Sequence, residues 1–199
     1  MSWDRAVKAG ITRFSIITEG TGRGVSRIED SKRYWAIANA LYRDIFRELG
    51  MPLLPTDETI SCTKESFQAG YDYQLGVDVI LRPQALGEST MQEKFLFTDF
   101  NTVTVEHCQD WLTLEPGDWF NLKAQYYFVG YDPDKRNGQL APWVLLDWAQ
   151  LQRATAQGRV PWRLRGNHRE NVGARASFLY VDIDKVPLDI IVMSSKQSA

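Results

Sequence analysis

Apolar and polar positions change period near residue 56, from the three-to-four spacing of a helix to the alternation and short apolar runs of strands. Tyr34, Ile37, Ala38, Leu41, Ile45 and Leu49 recur at helical spacing and predict a helix over 31–49. Asp30 or Ser31 can cap its start, and Gly50 can end it. Strands follow at 59–63, 66–71, 76–81 and 91–97, the last two joined by a turn-rich stretch. Thr102, Val103, Thr104 and Val105 alternate within a further strand over 101–107. Pro116-Gly117-Asp118 opens a short helix through Lys123, and 125–131 reads as a strand buried on both faces. Residues 143–148 form another strand. Asp147 can cap a helix to Gln157, with Gly158 past its end. A strand over 176–183 and a short tail complete the pattern, and 13–18 is a short apolar run of strand type. There is no internal repeat and no domain boundary. The expectation is one mixed domain over 1–199, α/β in the α+β sense: a helix, a sheet meander, a short helix and buried strands.

Composition changes this picture little. The 199 residues suit one domain, the 44% apolar fraction supports a sizeable core, and 24% charged is ordinary. A net charge of −2 gives no global basic signature, so any nucleic-acid contact must come from a local patch. Cys62 and Cys108 imply no disulfide framework, and no C-x-x-C or H-E-x-x-H is present to suggest zinc. With no secretory core and no bilayer-length apolar run, a cytoplasmic setting without membrane contact is expected. Gly20-Thr21-Gly22-Arg23-Gly24 precedes a helix, yet it lacks the dinucleotide spacing and the Gly-Lys-Ser/Thr of a phosphate loop. An entry turn fits it better than a nucleotide site.

Chemistry concentrates on the strands at 76–81 and 91–97. Asp78 lies in an apolar strand, and Gln92-Glu93-Lys94 opens the next. Buried ionisable groups are costly unless paired or bound to a metal. Side-chain alternation puts Gln92 and Lys94 on one face and turns Glu93 to the other. A hairpin-like connection then lets Asp78, Gln92 and Lys94 converge. A carboxylate and an amide oxygen are hard ligands suited to Mg²⁺ or Mn²⁺. Glu93 can add a metal ligand through its backbone carbonyl, or through its carboxylate if a bulge turns it inward. Lys94 can orient a water or neutralise charge on a phosphate.

These residues resemble the PD-(D/E)xK nuclease superfamily, whose motif is an Asp on one strand and an acidic residue–x–Lys on the next. Asp78 and Lys94 match, and Gln92 stands at the acidic position, as in Gln-x-Lys members of the superfamily. The helix before Asp78, and the short helix and buried strand after Lys94, extend the resemblance over about residues 30–150. It implies a restriction-endonuclease-like core, with a central mixed sheet flanked by helices. It also implies a Mg²⁺- or Mn²⁺-dependent endonuclease acting on DNA, and a possible homodimer. Asp78, Gln92 and Lys94 are its catalytic set, with Asp78, Gln92 and Glu93 toward metal. A further acid from the first helix is expected, with Asp30 and Asp44 as the candidates. The alternative is the same fold kept as an inactive nucleic-acid-binding or structural module.

Three other features have two readings each. Asp72 is a supporting ligand or a turn residue. His107 is a general base or an ordinary strand-end histidine. The stretch 159–175 carries Arg159, Arg163, Arg165, Arg169 and Arg175 against one acid, Glu170. It either contacts phosphates, with Trp162 stacking on a base, or forms a solvated loop.

Overall fold

A computed structural model describes residues 23–53, 59–61, 78–83, 87–96, 101–110, 113–133, 139–166 and 176–195. Helix α1 runs Arg23–Glu48, so it starts well before residue 31. Asp30 and Ser31 therefore lie inside the helix and are not its cap. The reason is that the first turns, 23–30, hold only two apolar residues, Val25 and Ile28, too few to extend the period that marks the stripe. That stripe centres on Tyr34, Ala38, Tyr42, Ile45 and Phe46, with Ile37, Leu41 and Leu49 along its margin. Gly50 ends the helix as expected. Its φ is 72°, and Met51 N–H donates to the Phe46 carbonyl at 2.8 Å while Gly50 N–H donates to Arg47 at 3.0 Å. This is a Schellman closure, which glycine adopts without steric cost.

Among the described residues ten strands form two sheets. The first has six strands in the order β1 (Thr59–Ser61), β2 (Val79–Leu81), β3 (Ser89–Leu96), β6 (Tyr126–Tyr131), β7 (Trp143–Asp147) and β10 (Ile191–Ser194). It is mixed: β3 and β6 are parallel, Met91 against Tyr126 through Leu96 against Tyr131, and the other pairs are antiparallel. The second, antiparallel sheet has the order β5 (Glu115–Pro116), β4 (Thr102–Asp110), β9 (Ser177–Asp182) and β8 (Arg163–Gly166). The meander is thus split between two sheets. The tail contributes β10, and the arginine-rich stretch contributes β8; neither had been expected as a strand. Both are four residues long and take their pairing from a partner strand. The expected strands at 13–18 and 66–71, and the Gly20–Gly22 turn, lie outside the described residues.

The central sheet is buried on both faces. On one side α1 covers Val79, Leu81, Met91, Phe128 and Leu145. On the other side Ile80, Tyr127, Val129, Val144 and Leu146 pack with Val103, Val105, Leu179 and Val181 of the second sheet. Helix α3 (Trp148–Ala156) closes this second side with Trp148, whose ring stacks on Tyr127 at 5.2 Å. Its cap is the expected one, Asp147 accepting from Gln150 N–H at 2.9 Å. The short α2 (Asp118–Asn121) follows Gly117, where an added Cβ would meet the Glu106 carbonyl oxygen at 2.5 Å. Only glycine allows α2 to sit this close to β4. Tyr127 and Tyr131 hydroxyls donate to the Thr104 and Thr102 carbonyls at 3.0 and 2.7 Å, tying the central sheet to β4.

Candidate metal centre

Strand β3 separates two environments by alternation. Met91 and Phe95 belong to the α1 side and Leu96 to the other, so Gln92 and Lys94 face the second sheet while Glu93 faces α1. The β3–β6 register runs through residues 91–96 without a shift, so no bulge turns Glu93 inward. Its carboxylate accepts from the Tyr42 hydroxyl of α1 at 2.7 Å. As a carboxylate ligand beside Gln92, Glu93 is therefore not supported: the strand's pleat holds it on the wrong face. Burial lifts the Glu93 carboxyl to about 7, against the lowering effect of the Tyr42 hydrogen bond. Burial also raises Tyr42 well above the usual phenol range, with the Glu93 charge adding to it.

Asp78 immediately precedes β2. Its N–H donates to the Met91 carbonyl at 3.0 Å, and its carboxylate accepts from Glu93 N–H at 2.9 Å. The side chain thus takes the place of a backbone acceptor where the β2 ladder ends. That bond holds the carboxylate at the level of the sheet, between the two faces. Its charge raises Tyr42 on one side and Tyr127 on the other. For Tyr127, burial is the largest cause and the Asp118 charge the next, ahead of Asp78. Tyr127 is the register partner of Gln92 on β6. Two carboxylates, Asp78 and Asp118, therefore bear on the face that carries Gln92 and Lys94.

The Gln92 side-chain oxygen is buried and has no hydrogen-bond partner among the described residues. Such an oxygen costs roughly 1–3 kcal/mol when left without a donor. A bound cation would relieve that cost. Lys94 Nζ lies 5.7 Å from the Phe178 ring centroid on β9, so the lysine reaches across to the second sheet. Asp78, Gln92 and Lys94 supply a carboxylate, an amide oxygen and an ammonium along the joint of β2 and β3. Among the described residues no group of three or more His, Cys, Asp or Glu side chains forms a cation cage. Any cation here would rely on Asp78 and Gln92 oxygens, completed by water or substrate.

The remaining candidates separate clearly. Asp44 is exposed and pairs with Arg47 at 3.0 Å on the outer side of α1, so it does not extend the site. The Asp30 side chain and Asp72 lie outside the described residues. His107 packs edge-on to Phe120, with ring centroids 5.1 Å apart, and lines an apolar cavity of about 600 Å³ with Leu114, Pro116 and Leu164. That cavity is not lined by Asp78, Gln92 or Lys94. Arg163 pairs with Asp182, and Arg165 lies over the Tyr180 ring at 5.8 Å; both are exposed. Arg169 and Arg175 lie outside the described residues. Cys108 is a buried free thiol whose Sγ donates to the Glu115 carbonyl at 3.2 Å. The roles of Tyr42, Tyr127 and Asp118 had no sequence signal, because each depends on which strand or helix is brought alongside.

No family model, curated protein or solved structure matches the chain. Among the described residues no helix is long and apolar enough to cross a membrane.

Proposed function

We propose that the chain is a metal-dependent nuclease hydrolysing phosphodiester bonds in DNA, with Mg²⁺ or Mn²⁺ as its cofactor. The observation that carries this reading is the buried, unpartnered Gln92 oxygen on the face of Lys94, next to the Asp78 carboxylate. The order of elements supports it: a helix before the Asp78 strand and, after β4 and β5 of the second sheet, a four-residue helix and a buried strand parallel to the Lys94 strand. Asp78 and the Gln92 oxygen would hold the cation. When bound, it polarises a phosphoryl oxygen and lowers the pKa of water. Glu93 N–H keeps the Asp78 carboxylate aimed along the sheet end. The Lys94 ammonium, on its flexible stem, would orient the attacking water or neutralise charge gathering on the scissile phosphate. Cutting both strands of a duplex would call for two copies, each with one such centre.

A second reading, the same fold without catalysis, is favoured by the neutral Gln92 at a position where the resembled superfamily carries an acid. Cleavage of plasmid and branched DNA with Mg²⁺ or Mn²⁺ separates the two. Lys94→Ala is expected to lower the rate by about 10²–10³-fold, the range for removing one charge-stabilising donor. Equal cleavage by wild type and Lys94→Ala would remove the lysine from the mechanism. Calorimetry that finds no Mn²⁺ binding, and no effect of Asp78→Ala, would leave the non-catalytic reading.

A further inference from the structure

The outer face of the second sheet is composed differently from its inner face. Along β9, Leu179 and Val181 are buried in the core, whereas Phe178, Tyr180 and Asp182 are half-buried on the opposite side. The register sets Arg163 opposite Tyr180 and Arg165 opposite Phe178. The Arg165 guanidinium lies 5.8 Å from the Tyr180 centroid, and Lys94 Nζ lies 5.7 Å from the Phe178 centroid. Two arginines on β8 therefore line two rings on β9, Glu106 of β4 stands opposite Phe178 on the same face, and Lys94 of the central sheet approaches Phe178 from the candidate centre. Arg163 is shared with Asp182, but both side chains are exposed, at 53% and 39%. Such a pair holds weakly and can give way to a phosphate.

We propose that this face is a platform for single-stranded nucleic acid, which it leads toward Lys94. Partly exposed rings on a sheet stack on bases only when the bases are unpaired, because a duplex keeps their faces covered. Arginines beside those rings suit the phosphates that run between stacked bases. Charge selects the occupant: two arginines and a lysine, set against the Asp182 and Glu106 carboxylates of the same face, leave it net positive for a polyanion. The nuclease reading enters only through what happens at Lys94, since binding to the platform needs no metal.

Fluorescence anisotropy of the full chain in EDTA tests it, with labelled oligothymidylate, oligouridylate and a mixed-sequence duplex as probes. A single strand should bind more tightly than the duplex, and the better of the two single strands identifies the preferred sugar. Tyr180→Leu keeps apolar bulk but removes the ring, and should weaken single-strand binding about tenfold, the loss of one stacked base. The double variant Arg163→Gln/Arg165→Gln lies at exposed positions. It should reduce the slope of log affinity against log salt by about 1.4, two phosphate contacts on a single strand. Circular dichroism checks that each variant is folded. Equal or tighter duplex binding, or an unchanged salt slope in the double arginine variant, would overturn the platform. Mn²⁺ binding should be unchanged in these variants and lost in Asp78→Ala, so failure of the metal centre and failure of the platform give separate results.

Discussion

The two faces of the central sheet handle buried polar groups in opposite ways. On the α1 face, each of two carboxylates meets a tyrosine from the helix: Tyr42 donates to Glu93, and Tyr34 donates to Asp132. Tyr34 and Tyr42 are eight residues apart on the same stripe of α1, so one helix reaches both acids. On the face toward the second sheet, Tyr127 and Tyr131 donate to β4 carbonyls, while the Gln92 oxygen is left without a partner. Both faces are buried and aromatic, but among the described residues only the face toward the second sheet leaves a buried side-chain oxygen unpaired. A satisfied polar pair rigidifies a core; the unsatisfied Gln92 oxygen, on the face of Lys94, is the group on which the proposed metal site rests.

The largest test concerns the burial the faces share. Phe128→Ala on the α1 face and Trp148→Ala on the other should each cost about 3–5 kcal/mol in chemical denaturation, the range for truncating a fully buried ring. Both residues are 2% exposed or less. A much smaller loss at Trp148 would mean that the second sheet covers its face loosely, and the comparison would then be between a core and a cleft.

The next test addresses the satisfied face. Glu93 titrates at 4.5 in an unfolded chain and near 7 in the fold. Between those values the folded state holds a proton that the unfolded chain has released. Stability from this group is therefore greatest below about pH 4.5 and falls as pH rises to about 7, by on the order of 3 kcal/mol. Glu93→Gln should flatten that part of the profile when denaturation is followed in metal-free buffer. Parallel profiles for wild type and variant would show that water reaches the carboxyl.

The smallest effect on stability falls on the unsatisfied face. Gln92→Met keeps the length of the side chain and removes the orphaned oxygen, so it should raise stability by about 1 kcal/mol. The same change should abolish Mn²⁺ binding measured by calorimetry. A loss of stability would mean that the amide is already satisfied, and the contrast between the faces would disappear.

Much of the architecture was legible from the chain, and the failures have physical causes. The caps at Gly50 and Asp147 and the strands near 91–97, 101–107 and 125–131 were readable because their determinants are local. The early turns of α1 were missed because Val25 and Ile28 are their only apolar residues, too few to set a period. β8 and β10 were missed because four-residue edge strands are stabilised by their neighbours. At the candidate centre, alternation correctly opposed Glu93 to Gln92 and Lys94, a consequence of the pleat alone. Asp44 could not be dismissed from the sequence, because its direction depends on which side of α1 meets the sheet.

What the sequence determined by itself is the set of short-range choices: helix and strand periods, turns, caps, and the face to which each residue of β3 points. These follow from backbone geometry within a few residues. Only the tertiary structure decided that Tyr42 would seal Glu93, that Asp78 would accept from the Glu93 amide at the sheet end, and that Lys94 would lie over Phe178. Those contacts join residues 15 to 84 positions apart, and no local preference specifies them. They arise because burying both faces of one sheet forces α1 and the second sheet against it, and buried polar groups must then find whatever partners that packing supplies.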